Sequence, residues 1–240
     1  MAKKIYFSPS DQTRNTYAAG NTNEAAQCRQ IALYAVEAAK RCGFDALTDA
    51  VSGGDDAMDK RIIQSNNWGA DVHIPIHTNA YNGQVMGTRI FCFAIPGEGY
   101  DICKAVMNTL APITPGSSDN ITTARFAEIL QANAPTAYIE VAFHDNKTEA
   151  QWIIDHKKDI AEAIVKGLCN YFGVKYVAPE AEKPSDPEVK PDPKPETGAM
   201  YRVFSGGKQR GAFRNLENLL NMAGDYLKNG VDVELTVRDK

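Results

Sequence analysis

Apolar residues recur along residues 1–177 in two patterns that alternate with each other. Short apolar runs bounded by turn residues predict strands, and apolar positions spaced three and four residues apart predict helices. The predicted strands are 4–7, 44–50, 71–77, 88–93 and 137–143. The predicted helices are Glu24–Arg41, 55–67, Glu98–Leu110 and 148–172. This alternation indicates an α/β fold, with a mostly parallel mixed sheet flanked by helices on both faces.

The composition changes sharply between residues 178 and 199, where six of the twelve prolines of the chain lie. This stretch has no aromatic residue, and Val189 is its one branched aliphatic residue. Because it cannot bury a core, we predict an extended, proline-rich linker. The 240 residues are therefore expected to form a domain at 1–177, a linker at 178–199 and a small module at 200–240.

The C-terminal module has an alternation of its own. Strands are predicted at 200–204 and 231–237, and an amphipathic helix is predicted between them at 216–228. We therefore expect a small βαβ module. A piece of this size buries little apolar surface, so it is expected to need a binding partner or a second copy for stability.

Composition and charge exclude several classes of protein. Lys and Arg number 26 against 30 Asp and Glu, and the net charge of −4 argues against nucleic-acid binding. No apolar run is long enough to predict a membrane span, and no apolar segment of a signal peptide follows Met1. We therefore expect synthesis in the cytoplasm. The five cysteines form no CxxC pair, which predicts reduced and buried thiols.

Polar residues lie at the carboxyl ends of the predicted strands, where α/β sheets bind their ligands. Asp11 and Gln12 follow the first strand, and His77 ends the third. Glu140 is the least ordinary of these residues because the strand around it is otherwise apolar. A carboxylate in such a strand needs a partner, a metal ion or a raised pKa.

Glu24 lies in the first turn of the first long helix, close in sequence to the first of these loops. Taken singly, Glu24 is an ordinary acid at a helix N-terminus and His77 an ordinary polar strand end. Together with Glu140 they offer a carboxylate, an imidazole and a second carboxylate. A hydrolytic zinc site requires such groups, because the metal acidifies water and a free glutamate carries the proton.

Several segments follow one another in a specific order: Asn23-Glu24, the histidine strand 74–80 (IPIHTNA), the strand 87–91 (GTRIF) and the glutamate strand 135–143 (PTAYIEVAF). In this order and spacing, residues 1–173 resemble the zinc-dependent N-acetylmuramoyl-L-alanine amidases of the amidase type 3 family, which occur among phage endolysins and bacterial autolysins. The resemblance implies hydrolysis of the amide that joins the muramoyl lactyl group to L-alanine.

The resemblance also implies roles for individual residues. Glu24 and His77 match the family's zinc ligands, and Glu140 matches its catalytic acid/base. Asn79, just after the histidine, is expected to contact the substrate. The cofactor implied is zinc, and the binding partner implied is the peptidoglycan of a bacterial cell wall.

One family feature is missing. The family has another zinc-binding histidine in the loop after the first strand, whereas this chain has Asp11 and Gln12 there. We predict that His144, four residues beyond Glu140, is the replacement ligand. Asp11 and Gln12 are the alternatives, and Gln12 is the weaker one because zinc prefers imidazole, thiolate or carboxylate.

The tail is similar to the short C-terminal repeats of clostridial-type lysins, in Tyr201-Arg202-Val203 and in residues 211–218. That similarity predicts wall binding, and self-association into a homo-oligomer is the alternative. For the whole chain we predict a peptidoglycan amidase of endolysin type that acts on the wall after release. Two alternatives stay open: a non-catalytic wall-binding protein with a decayed site, and a zinc peptidase that cuts within the stem peptide.

Overall fold

The computed structural model describes residues 2–50, 58–180, 200–205, 208–213 and 234–238. The chain divides into two compact units, Met1–Pro179 and Glu180–Lys240. The strands of the first unit are β1 (Lys4–Pro9), β2 (Asp45–Leu47), β3 (Val72–Asn79), β4 (Arg89–Cys92), β5 (Asn120–Thr123) and β6 (Tyr138–Phe143). Its helices are α1 (Glu24–Arg41), α2 (Met58–Trp68), α3 (Glu98–Leu110), α4 (Ala127–Gln131), α5 (Lys147–Asp155) and α6 (Lys157–Phe172).

The six strands form one mixed sheet in the order β2-β1-β3-β6-β4-β5. All neighbouring pairs are parallel except β4 and β6, which are antiparallel. The predicted fold class is therefore confirmed. The central strands β3 and β6 lie side by side, and their register pairs His77 with Glu140.

One face of the sheet is apolar and forms the main core. The strand alternation turns Ile74 and Ile76 of β3 to the same face as Ile139 and Val141 of β6, and all four side chains are fully buried. They belong to one cluster with the buried faces of α1, α3 and α6. Apolar spacing in these helices, such as Cys28, Ile31, Ala32 and Ala35 in α1, supplies the matching stripe.

The opposite face of the sheet is polar and carries the candidate site. Tyr6 and Ser8 of β1 lie on this face together with His73 and His77 of β3. Helices α2 and α4 cover it: Tyr6 bonds Gln64 of α2 at 2.6 Å, and His73 contacts both helices through hydrogen bonds given below. Helices therefore lie on both faces of the sheet, as the sequence predicts.

Several elements differ from the prediction. The single helix expected over 148–172 is two helices, because the chain leaves helical geometry at His156 (φ −117°, ψ 25°). There the His156 ring Nδ1 lies 2.9 Å from the carbonyl of Trp152 and reinforces the break. Strand β5 and helix α4 were not predicted, since neither is long enough to show a clear period. Residues 55–57 of the second predicted helix lie outside the described residues.

All five cysteines lie among the described residues, and they are free and buried as predicted. In the parts of the chain that the structure describes, no helix is both long and apolar enough to cross a membrane.

The second unit contains an antiparallel sheet of β7 (Met200–Ser205), β8 (Lys208–Phe213) and β9 (Glu234–Arg238), in the order β8-β7-β9. The two strands predicted at the ends of this module correspond to β7 and β9. The prediction of a simple βαβ unit omitted β8, which pairs with β7 as a hairpin. The helix predicted at 216–228 and most of the predicted linker lie outside the described residues.

Candidate active site

The site lies where the carboxyl ends of β1 and β3 meet the start of α1. Asn23 caps this helix by accepting a hydrogen bond from the Ala26 amide at 3.0 Å, so Glu24 is the first helical residue. Glu24 is buried, and its Oε1 lies 2.9 Å from Nδ1 of His77. Asn15 donates to the other carboxylate oxygen of Glu24 at 2.7 Å. Burial alone would raise the pKa of Glu24, but the hydrogen bonds from His77 and Asn15 hold it below its usual value.

His77 is held from several sides. Its Nδ1 faces Glu24, and its Nε2 lies 3.5 Å from Oε2 of Glu128 in α4. The ring also stacks on Tyr138, with 4.5 Å between the ring centroids. Burial alone would lower the pKa of His77, but the hydrogen bonds to Glu128 and Glu24 outweigh it and raise the pKa to about 10.

Glu140 lies next to His77 on the neighbouring strand. Its Oε2 is buried and forms no hydrogen bond with any residue that the structure describes. Burial, reinforced by the negative charge of Glu24, raises the pKa of Glu140 to about 8, and the charge of His77 opposes this rise. The site therefore contains a carboxyl group whose pKa lies near neutrality, which suits a group that accepts and returns a proton.

The loop after β1 places Gln12, and not Asp11, against the site. The Gln12 amide nitrogen lies 3.3 Å from Nδ1 of His77, and the Gln12 Oε1 accepts a hydrogen bond from Asn15 at 2.8 Å. Asp11 instead faces Arg61, with 3.7 Å between the charged groups. Of the two alternative ligands in this loop, Gln12 is therefore the one beside Glu24 and His77.

His144, the predicted replacement ligand, has other partners. Its Nδ1 lies 2.9 Å from the Thr78 carbonyl oxygen and 3.0 Å from the Thr78 hydroxyl, and its ring stacks on Tyr17. Nδ1 of His144 therefore faces Thr78, and the role of His144 as a third ligand beside Glu24 and His77 stays a prediction. Within the described ranges, no three His, Cys, Asp or Glu side chains form a group that could hold a metal ion.

Asn79 ends β3 beside the site. Its side-chain oxygen accepts a hydrogen bond from the Ala80 amide at 2.8 Å, and its carbonyl accepts one from the His144 amide at 2.8 Å. These bonds fix the strand end. Its role as a substrate contact stays a prediction.

Glu128 is a site residue that the sequence reasoning missed. It belongs to the short helix α4, whose five residues are too few to show helical periodicity. One indication was available: Glu128 stands beside Ile129 and Leu130, so a carboxylate adjoins an apolar pair.

Glu24, His77 and Glu140 thus meet at the carboxyl end of parallel strands, and the pKa of the Glu140 carboxyl group lies near neutral pH. Such an arrangement suits hydrolysis by acid/base catalysis. Residues 10–170 match the family model described as N-acetylmuramoyl-L-alanine amidase. The chain therefore belongs to the N-acetylmuramoyl-L-alanine amidase family, and its function is that of a peptidoglycan amidase. No curated protein matches the chain.

Solved structures of amidases share the fold. The catalytic domain of CwlV from Bacillus (Paenibacillus) polymyxa var. colistinus aligns with a TM-score of 0.63 and 17% identity, over 72% of this chain and 99% of that one. An amidase from Clostridium difficile 630 gives 0.60 and 21%, over 72% and 97%. The catalytic domain of an endolysin that targets Clostridia difficile gives 0.58 and 20%, over 70% and 97%.

Proposed function

We propose that this chain cleaves the muramoyl–L-alanine amide with Glu140 as the group that carries the proton. The observation that carries this assignment is the buried Oε2 of Glu140, which has no hydrogen-bond partner among the described residues and lies on the strand next to His77. A buried carboxyl oxygen without a partner is costly, and a water molecule or substrate atom that binds there would relieve the cost.

The proton path follows from the chemistry of the bond. Glu140 takes a proton from the attacking water molecule while the oxygen of that water bonds to the lactyl carbonyl carbon. It then gives that proton to the alanine nitrogen as the C–N bond breaks, which leaves a carboxylic acid on the muramoyl group and a free amine on the peptide. A pKa of about 8 allows Glu140 to exchange a proton in both directions near neutral pH.

Two residues beside Glu140 are suitable ligands for zinc, the metal that the family resemblance implies. Glu24 offers an ionised oxygen and His77 an imidazole nitrogen 2.9 Å from it, and the Gln12 amide lies 3.3 Å from the same nitrogen. Glu24 and His77 would hold the metal. Gln12 turns its amide nitrogen toward His77 and its amide oxygen toward Asn15, so it would bind only after this amide rotates, and then as the weakest ligand. When bound, zinc supplies a Lewis acid that polarises the scissile carbonyl and lowers the pKa of water.

Kinetics of matched variants test these roles. Glu140→Gln should lower kcat by about 10²- to 10⁴-fold, the usual contribution of a general acid/base. Glu24→Gln should lower both activity and zinc content, because it removes the charged ligand. Glu37→Gln is the matched control, because Glu37 is exposed on the same helix α1 and this substitution removes the same charge. Wild-type kcat in Glu140→Gln would contradict the assignment.

A wall-binding protein without catalysis is the second candidate, and Gln12 favours it. A neutral amide in place of a third strong ligand weakens any zinc site. Loss of turbidity from a suspension of purified walls, abolished by a chelator and restored by zinc, distinguishes the two. Binding to the walls without loss of turbidity in the presence of zinc would identify the non-catalytic protein.

We also propose that the protein is of endolysin type and acts on the wall after release from the cytoplasm. The family includes such enzymes, and the catalytic domain of an endolysin shares the fold. Expression in a Gram-positive cell should cause lysis only after the membrane is permeabilised; lysis without permeabilisation would contradict this. The second unit is proposed to bind the wall or to form a homo-oligomer, which wall sedimentation and the solution mass per particle would separate.

A further inference from the structure

A buried polar network lies beneath His77 on the polar face of the sheet. Its members are Ser8 of β1, Ser65 of α2, His73 of β3 and Glu128 of α4, and all four are nearly inaccessible to solvent. Four separate elements therefore each contribute one polar side chain to the same place. The family-derived roles of Glu24, His77 and Glu140 use none of them.

Glu128 is the centre of this network. Its Oε1 accepts a hydrogen bond from the Ser8 hydroxyl and lies 3.3 Å from Nε2 of His73. On the far side of that ring, Nδ1 of His73 lies 3.0 Å from the Ser65 hydroxyl. The other oxygen of Glu128, Oε2, lies 3.5 Å from Nε2 of His77. One oxygen is thus held in place by the network, and the other faces the site.

Stability does not account for this arrangement. Taking a carboxylate out of water is costly, and well-packed apolar side chains of similar volume often serve as well or better in a core. The hydrogen bonds to His73 and Ser8 compensate the burial of Glu128 but do not require its contact with His77. That contact is the part of the network that reaches a proposed catalytic site.

The two nitrogens of His77 face different neighbours. Nε2 faces Glu128, which can only accept hydrogen bonds when ionised, so this nitrogen carries a proton. Nδ1 faces Glu24 and Gln12, where the proposed zinc ligands converge. Without metal this nitrogen donates a hydrogen bond to Glu24, and it would have to lose that proton to bind zinc. A histidine that binds a metal through one nitrogen usually donates the N–H of the other to a carboxylate, which fixes the ring and its tautomer.

We propose that Glu128 is a positioning residue that accepts the Nε2–H of His77 and so directs Nδ1 of His77 toward Glu24 and Gln12. His73 and Ser8 act behind it by fixing the orientation of the Glu128 carboxylate. The proposal rests on the proposed role of His77 as a ligand. It adds a residue for which no family role was expected, carried into the site by a short helix.

The test is a comparison of full-length variants by NMR and by zinc affinity. In the wild type, the Nε2–H proton of His77 should be observable and protected from exchange with water. Glu128→Gln keeps an oxygen acceptor but loses the charge, so the proton should persist with a weaker hydrogen bond. Zinc affinity, measured by competition with a chromogenic chelator, should fall by about 10- to 100-fold. Glu128→Leu should lose the protected proton as well.

Two controls separate positioning from a general loss of structure. Glu149→Gln alters another buried carboxylate, which accepts hydrogen bonds from the Gly87 and Phe143 amides, and should leave the His77 proton and zinc affinity unchanged. Glu140→Gln should lower kcat by about 10²- to 10⁴-fold and still keep the His77 proton. Should Glu128→Leu fail to fold, Glu128→Gln decides alone.

An unchanged His77 proton resonance together with wild-type zinc affinity in Glu128→Gln would overturn the proposal. A different result would show that the proposed function is wrong. An inactive wild type that binds no zinc contradicts the amidase chemistry, whereas the NMR comparison of His77 between wild type and variants still decides whether Glu128 holds the ring.

Discussion

Replacing Glu140 by Gln should stabilise the fold while it lowers kcat by about 10²- to 10⁴-fold. Glu140 has a pKa of 4.5 when unfolded and about 8 in the folded chain, mainly because of burial. Between these values the unfolded chain releases the proton and the folded chain keeps it, so folding stability falls as pH rises. Glutamine does not titrate, so the variant escapes this loss.

The magnitude follows from the two pKa values of Glu140. Between the unfolded and the folded pKa of Glu140, each rise of one pH unit lowers the free energy of unfolding by about 1.4 kcal/mol. The wild type therefore loses about 3 kcal/mol between about pH 4 and pH 7 relative to Glu140→Gln, as an upper bound. Zinc-free protein is required, because a bound cation would favour the ionised form of Glu140.

Urea unfolding of both proteins at a series of pH values measures this difference. The free energy of unfolding of the variant should exceed that of the wild type by an amount that is smallest near pH 4 and grows toward neutrality. Groups common to both proteins, such as Glu24, cancel to first order in the comparison. A difference in the free energy of unfolding that does not change with pH would refute the raised pKa of Glu140. It would also remove the support that this pKa gives to Glu140 as the group that carries the proton.

Three other changes have defined outcomes. Gln12→His should raise zinc affinity at least about tenfold in chelator competition, because imidazole is a stronger ligand than an amide, whereas Asp11→Asn should not change it; equal affinities would exclude Gln12 from the metal site. His144→Ala should keep full zinc content and lose about 1–3 kcal/mol of stability in urea, since it removes the hydrogen bond to the Thr78 carbonyl; loss of zinc would identify His144 as a ligand. A chain truncated after Pro179 should fold and cleave soluble muropeptide at the full-length rate, because the first unit ends there; an unfolded or inactive product would contradict this independence.

The sequence predicts the sheet and its long helices because their patterns are long. Helices α1 and α3 have the predicted bounds, and the central strands agree to within one or two residues. The elements of the first unit that were missed, β5 and α4, have four and five residues and show no period. The break at His156 was also missed, since the residues on both sides continue the same apolar spacing.

The residues of the candidate site were likewise predicted in part and missed in part. Glu24, His77 and Glu140 come together because strand order and register bring their positions to one place, and a family motif includes all three. The partners of His144 depend on how the chain turns after β6, where the register of β3 and β6 shifts. Sequence spacing gives no information about such a turn. Glu128 was missed because its contact with His77 depends on tertiary packing.

The products of the reaction decide whether this chain cleaves the muramoyl–L-alanine amide through Glu140. Purified muropeptide is incubated with the zinc-loaded protein, and the fragments are identified by mass spectrometry. We expect a glycan with free muramic acid carboxyl groups and a stem peptide whose N-terminal residue is L-alanine with a free amine. Glu140→Gln should form both at least about 100-fold more slowly. Fragments cut within the stem peptide, or muropeptide that stays intact with the wild type, would contradict this expectation.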